Sequence, residues 1–369
     1  MNLPPMDVAA RLPKLRAALD ESGCQALLVT NLTNVRYLTG FTGSAGLLLV
    51  LPDRLVFATD GRYETQSAQQ FSASAVEAEF RIGNPQAQRE ALSGAAGSVA
   101  KLGLEAGNVT WAAQRTYASE WFPEAELVPT TGLVERLRRT KDDGEVARIA
   151  EAARIADAAL AATLPGLKDK PTEVEFGLAL DFEIRRLGAA GNSFETIVAS
   201  GPNGAKPHHR PSHRTIEAGE LIVLDFGALV DGYCSDMTRT VSVGQPRSDR
   251  LLRMVEVVEA AQAAGVAAVR PGVATKEVDQ VCRDTIAGLE ADWRTAFVHG
   301  TGHGVGLDIH EAPSVGTTSA DTLQVGDVVT VEPGVYFPEH GGVRIEDTVV
   351  VTETGCRPVT HFPKELIIT

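Results

Sequence analysis

Residues 221–241, LIVLDFGALVDGYCSDMTRTV, constrain this chain more than any other stretch. Leu221-Ile222-Val223-Leu224 is a short apolar, β-branched run, Val230-Asp231-Gly232 is a turn signal, and Tyr233 to Val241 alternates again, so the segment reads as two strands. A hairpin folded about Val230-Asp231 places Asp225 opposite Asp236, with cross-strand Cβ atoms about 4.5–5.5 Å apart. Two carboxylates at that distance repel unless a cation lies between them or one takes a proton. A lone Asp in a hairpin more often just flanks the turn. Here the turn has its own Asp231, which leaves Asp225 and Asp236 as candidate cation ligands.

The chain has 369 residues, which suggests two domains. A hydrophobic content of 44% with 22% charged residues is that of a globular protein able to bury real cores. The net charge of −14 argues against nucleic acid or an anionic membrane as partner, and solubility alone explains it. Cys24, Cys234, Cys282 and Cys356 are scattered without paired spacing, as expected in a reducing cytoplasm. The N-terminal stretch has no apolar signal core, and no run approaches the roughly 18 apolar residues of a membrane span.

Residues 7–22 read as an opening helix closed by Gly23, and residues 25–30 as a buried strand. Asn34-Val35-Arg36-Tyr37-Leu38 is a short element broken by Gly40. Residues 47–51 and 54–59 form a hairpin across Pro52-Asp53. Alternating helical and strand patterns continue to about Val128, which makes the first third a small α/β domain. Near Thr130 the composition shifts to Ala, Glu, Arg and Leu at helical spacing. The expected domains are therefore residues 1–132 and 133–369. The second opens with a connecting helix, a long helix from about Asp143, and a further helix that Thr172 and Glu175 cap and Gly188 stops. Strands follow, then helices at 249–269 and 275–289, then strands again, an order that hints at an internal pseudo-repeat.

Three other places match the paired aspartates. His299-Gly300-Thr301-Gly302-His303-Gly304-Val305-Gly306 precedes Asp308, His310 and Glu311. Its alternating glycines make a regular helix improbable and allow close backbone approach. Three of the chain's eight histidines fall within the twelve residues from His299 to His310, a density that favours function over packing. Glu332 and Glu346 each sit on a β-branched run. They are an even number of residues apart, so a hairpin centred on Glu339 puts both on one face. Asp225, Asp236, Glu332, Glu346 and a neutral His303 sum to −4, which two divalent cations neutralise. This hard, oxygen-rich donor set suits Mn²⁺, Co²⁺, Zn²⁺ or Mg²⁺ without selecting among them. Two such metals about 3.5–4 Å apart make hydroxide available near neutral pH and polarise a carbonyl, so the implied reaction class is metal-assisted hydrolysis.

In the order of these motifs the sequence resembles the "pita-bread" metallopeptidases, and within them the Xaa-Pro aminopeptidases and prolidases. The resemblance rests on Asp225 and Asp236, His303 in HGTGHGVGLDIHE, Glu332 in VEPGVY and Glu346 in GVRIED. Ser200-Gly201-Pro202-Asn203 through Pro207-His208, Ser235-Asp236-Met237-Thr238-Arg239-Thr240 and Pro363-Lys364-Glu365-Leu366 also match. Tyr37-Leu38-Thr39-Gly40-Phe41 is similar to the creatinase-type N-terminal domain of these enzymes. The implied fold is an α/β creatinase-like domain followed by an α+β pita-bread catalytic domain.

The resemblance further implies two divalent metal ions, Mn²⁺ first and Zn²⁺ or Co²⁺ as alternatives. Asp236 and Glu346 would bridge them, with Asp225 on one metal and His303 and Glu332 on the other. Glu332 would also shuttle the proton and His310 would stabilise the tetrahedral intermediate. His208, His299, His310, Tyr336 and Arg344 would contact substrate, with His209 and His213 close enough to compete for the place of His208. The implied substrates are proline-containing peptides, neither nucleic acid nor membrane is a partner, and the expected assembly is a homodimer in the cytoplasm. The preferred activity is removal of the residue before a proline from longer peptides, because Phe41-Thr42-Gly43-Ser44-Ala45-Gly46 presents no bulky or charged barrier. The same residues also suit a tight turn. The alternative is a strict Xaa-Pro dipeptidase. A metal-free creatinase-like enzyme or a binding module should have lost ligands, and a methionine aminopeptidase usually lacks the first domain.

Overall fold

The computed structural model describes residues 3–368. The chain forms two compact units, Pro5–Arg138 and the chain from Arg139 onward, the latter joined by Leu3 and Pro4. In the first, α1 (Arg11–Ser22) stops at Gly23, whose φ of 73° is left-handed. Then come β1 (Ala26–Val29), α2 (Leu32–Thr39), β2 (Leu47–Val50), β3 (Leu55–Thr59), α3 (Glu64–Ala73), β4 (Glu79–Ile82), α4 (Pro85–Ala96), β5 (Lys101–Glu105), α5 (Trp111–Thr116), β6 (Glu126–Thr130) and α6 (Leu133–Arg139). The six strands make one mixed sheet in the order β4-β3-β2-β1-β5-β6. Its hairpin β2–β3 turns at Pro52-Asp53, as the pattern predicts. The short element 34–38 is helical. The division falls six residues beyond the expected 132/133, because α6 is tied to the first unit. Glu135 accepts from Asn34 Nδ2 at 2.7 Å, and Arg138 donates to Asn34 Oδ1 at 2.9 Å.

The second unit starts with α7 (Asp143–Thr163) and α8 (Glu173–Arg186), opened by reciprocal caps Asp142/Glu145 and Thr172/Glu175. Next are β7 (Gly191–Asn192), β8 (Ile197–Ser200), β9 (Ile222–Phe226), β10 (Ala228–Val230), β11 (Tyr233–Cys234) and β12 (Met237–Val243). A second helix pair follows, α9 (Asp249–Ala268) and α10 (Thr275–Leu289). The remaining strands are β13 (Gly302–Gly304), β14 (Glu311–Val315), β15 (Val328–Val331), β16 (Gly334–Phe337), β17 (Gly341–Arg344), β18 (Asp347–Val351), β19 (Cys356–Pro358) and β20 (Ile367–Ile368). Each helix pair backs its own sheet. Phe176, Leu180 and Ile184, four apart on α8, pack with Ile155 and Leu160 of α7 onto Ile222, Leu224 and Val241. Val257, Val258, Val278 and Ile286 pack onto Val329, Val331, Val349 and Val351. Burying each such side chain contributes about 1.5–3 kcal/mol. Among the described residues no helix is long and apolar enough to cross a membrane.

The two sheets are stitched where the site lies. Glu346 N donates to Thr238 O at 3.1 Å, Thr240 Oγ1 donates to Arg344 O at 2.8 Å, and Thr348 Oγ1 donates to Asp236 O at 2.8 Å. Behind this seam lies the fully buried Arg239. It donates to the Glu346 carbonyl, and to Asp347 Oδ1 at 2.9 Å, while Gln262 and Lys364 hold the other Asp347 oxygen. A charge this deep is stable because it is paired and every arm is hydrogen-bonded.

Candidate metal centre and active site

The Asp225–Asp236 hairpin turns one residue later than the expected Val230-Asp231. Asp231 (φ 45°) and Gly232 (φ 77°) form the turn, and both need the left-handed region that Asp-Gly supplies. The register therefore pairs Asp225 with Thr238 rather than with Asp236. Asp236 sits two residues along, on the same face, in the break between β11 and β12. The second hairpin is centred on Glu339, as its parity predicts: Gly334 faces Arg344 and Val331 faces Asp347, so Glu332 and Glu346 oppose each other at the breaks in their strands.

His303 arrives on β13, between β14 and β15. This close packing explains the glycines around it. A Cβ on Gly302 would lie 2.1 Å from Thr330 O, and one on Gly304 would lie 2.3 Å from Ala312 O. His303 Nδ1 is 3.0 Å from Gly304 O, the bond that a proton on Nδ1 makes, and this leaves Nε2 with a bare lone pair. That nitrogen is 3.5 Å from both Asp236 Oδ2 and Glu332 Oε1. Asp236, His303 and Glu346 each offer an atom within 4.8 Å of the others. Thr238 Oγ1 donates to Glu346 Oε2 at 2.7 Å and fixes that carboxylate.

Asp225 Oδ1, Asp236 Oδ1 and Glu346 Oε1 are buried with no hydrogen-bond partner. Burial first, then repulsion from Glu346, Asp225 and Glu332, pushes Asp236 well above the usual carboxylate range. Glu346 is raised in the same way by burial, then by Glu332 and Asp225. Burial lifts Glu332 to about 8 against the opposing Arg344 guanidinium, with Asp225 adding to the rise. Burial also depresses His303 to about 4, so its imidazole is neutral. Orphaned buried oxygens, carboxylates that resist ionisation and a bare imidazole nitrogen fit divalent cations, whose charge would satisfy all of them at once.

Around the centre lies a cavity of about 490 Å³. Asp225, Asp236, His303, Glu332 and Glu346 line it together with His208, His209, His299, His310 and Arg344. His310 stacks edge-on against His303 at 4.3 Å between ring centroids. His299 is held down to about 4 by burial, then by Arg344. Its Nδ1 is 2.7 Å from Gly300 O and its Nε2 is 2.8 Å from Tyr336 Oη. Tyr336 is itself 7% exposed and is not on the cavity wall. Its hydroxyl lies behind His299 and accepts from Arg344 Nη1 at 2.8 Å. Arg344 reaches the cavity, but its donors are engaged: Nη2 binds Asp225 Oδ2 at 2.6 Å, Nη1 also reaches Pro207 O at 3.3 Å, and Nε reaches Thr238 Oγ1 at 3.2 Å. His213 is not among the lining residues. Phe194, Glu195, Ile197, Arg210, Ile309 and Ser314 are lining residues that the motifs did not single out, because nothing in their local sequence marks these side chains as facing a cavity.

A buried acidic cluster with one bare imidazole, set between two helix-backed sheets, defines a metallohydrolase centre on a pita-bread fold. The sequence matches the metallopeptidase family M24 over residues 147–353 and the creatinase/prolidase N-terminal domain over residues 11–140, and the chain belongs to this family. It is 44% identical over 358 residues to an uncharacterised peptidase of Bacillus subtilis, covering 97% of this chain and 99% of that one. The structure of an Xaa-Pro dipeptidase from Bacillus anthracis superposes with a TM-score of 0.92 at 41% identity, covering 98% of this chain and all of that one. An X-Pro aminopeptidase from Thermotoga maritima does so with a TM-score of 0.87 at 32% identity, covering 95% of this chain and all of that one.

Proposed function

We propose that this metallopeptidase removes the residue preceding a proline from the N-terminus of peptides, using two divalent metal ions, with Mn²⁺ the first candidate. Asp225, Asp236, His303, Glu332 and Glu346 would hold them. Bound cations would supply a nucleophile at neutral pH and polarise the scissile carbonyl. Glu332, as a carboxylate beside the bound cations, would take a proton from the attacking water and return it to the proline nitrogen as the C–N bond breaks. His310 donates to the oxygen that gains charge at the carbonyl. His208 and His299 form the wall for the substrate, and Tyr336 acts through His299 rather than on the substrate. Arg344 holds Asp225 and the Pro207 backbone. The free, scattered cysteines support a reducing, cytoplasmic setting.

One observation favours an aminopeptidase. The cavity reaches solvent at Glu195 and Arg210, paired at 3.1 Å and 61% and 82% exposed, so a peptide continuing past proline has a way out. The name of the Bacillus anthracis protein supports a second reading, an Xaa-Pro dipeptidase. Ala-Pro and Ala-Pro-Ala-Ala offered at equal concentration with Mn²⁺ separate the two. Release of alanine from the tetrapeptide is expected, and cleavage confined to the dipeptide leaves a prolidase.

A further inference from the structure

Glu173 is the first residue of α8 and is completely buried, yet it takes no part in the metal centre. Its carboxylate collects the polar groups of the segment that leaves β8. Ser200 donates through N and Oγ, both at 2.8 Å, and Asn203 Nδ2 donates to both oxygens at 3.1 Å. Ser212 donates through N at 3.0 Å and Oγ at 2.6 Å, and His209 Nε2 lies at 3.0 Å. Burial alone would raise this carboxyl. The bonds from Ser212, Ser200 and His209 outweigh it and hold the group at about 2, so it is charged at any working pH. The positive end of the α8 dipole favours the same state.

Residues 200–212 contain His208, which is exposed and lines the cavity. The residue before it is fastened by Arg344 Nη1 on Pro207 O at 3.3 Å. The residue after it is fastened by Glu173 on His209 at 3.0 Å. His208 thus stands between two pins. One comes from the metal centre, and the other comes from a helix that places no residue of its own on the cavity wall. We infer that Glu173 is a positioning residue for substrate: it holds the 200–212 segment so that His208 presents its imidazole to the bound peptide. Gln is the instructive replacement. Its shape is the same, but its amide N–H groups would face the donors of Ser212 and His209, where a carboxylate accepts. Segment and wall loosen while Asp225, Asp236, His303, Glu332 and Glu346, none of which lies in the segment, stay in place.

This inference rests on the peptidase reading above, and one set of measurements separates their fates. With Mn²⁺ and Ala-Pro-Ala-Ala, Glu173→Gln should raise KM about tenfold, as for losing a hydrogen bond to a charged group. It should change kcat by less than about threefold and leave bound Mn²⁺ per chain as in the unmodified protein. His208→Ala should raise KM similarly, and adding Glu173→Gln to it should produce little further rise, because both changes act on one contact. If Glu173→Gln does not fold, Ser212→Ala, which removes one hydroxyl donor, should shift KM the same way by about threefold. Unchanged KM in whichever folded variant is measured, effects that multiply in the double variant, or loss of Mn²⁺ would each overturn the role given to Glu173. A parent protein that never cleaves the peptide overturns the peptidase reading, and this inference with it.

Discussion

In metal-free protein, Glu332 should make the catalytic unit lose stability between about pH 6.5 and 8. Burial lifts its folded-state pKa from 4.5 to about 8, with Arg344 opposing and Asp225 adding to the rise. A carboxyl that holds its proton more tightly when folded favours the fold fully below its unfolded pKa. That advantage is lost as pH rises through the folded value. Each pH unit is worth about 1.4 kcal/mol, so the interval from 4.5 to about 8 amounts to about 5 kcal/mol. The acid part of that interval is masked. His299 and His303 are depressed by burial from 6.5 to about 4, and such bases add stability as pH rises across that range. Glu173, held at about 2, changes the balance only below 4.5. Above 6.5 these groups fall silent and roughly 2 kcal/mol remains for Glu332. Asp236 and Glu346, also raised by burial, act in the same direction. For a unit of this size, that is a fall in melting temperature of roughly 4–8 °C. Calorimetry in chelator at about pH 6.5 and 8.5 reads it. The fall should shrink in Glu332→Gln and disappear with excess Mn²⁺. Equal melting temperatures at both pH values, or an undiminished fall in Glu332→Gln, would refute the reasoning.

Glu346→Ala removes a carboxylate whose second oxygen is buried with no hydrogen-bond partner, so bound Mn²⁺ should drop by at least one per chain with nearly all activity lost; metal analysis beside circular dichroism checks this. His310→Ala should lower kcat by about 10²–10³ with metal content intact, and metal depletion there would make His310 a ligand. Gly302→Ala drives a Cβ to 2.1 Å from Thr330 O, so β13 must shift or the fold strain by about 1–3 kcal/mol; a lowered melting temperature with weakened Mn²⁺ binding is expected.

Much of the fold was legible because its signals are local. Gly23, the Asp142/Glu145 and Thr172/Glu175 caps and the Pro52-Asp53 hairpin each specify one element through their own backbone chemistry. Glu332 and Glu346 were legible through parity, since a hairpin centred on Glu339 leaves them no other face. The first hairpin misled by one residue. Its Asp231-Gly232 pair is the stronger turn signal, and reading the turn at Val230-Asp231 moved the pairing of Asp225 from Thr238 to Asp236. The face survived this error because the strands break at Gly227 and before Met237. There a Cβ on residue 227 would lie 1.9 Å from Ser235 O, and Asp236 returns to the side of Asp225.

What stayed hidden are polar residues whose partners lie far along the chain. Arg344 stands on the cavity wall, and what its motif did not reveal is that its guanidinium is divided among Asp225, Tyr336, Thr238 and the Pro207 carbonyl. Glu173 and Glu175 sit two apart at the start of one helix. Only Glu175 carries the local signature of a cap, whereas the partners of Glu173 begin 27 residues later. The same holds for Arg239, whose partners Glu346 and Asp347 lie more than a hundred residues away and set the backbone beneath one carboxylate of the metal centre. Arg344 and Arg239 share a physical reason for being there. A cluster of carboxylates can be aimed at cations only if its own backbone cannot relax away from them. That restraint must come from charges buried behind the site, which have no sequence periodicity of their own.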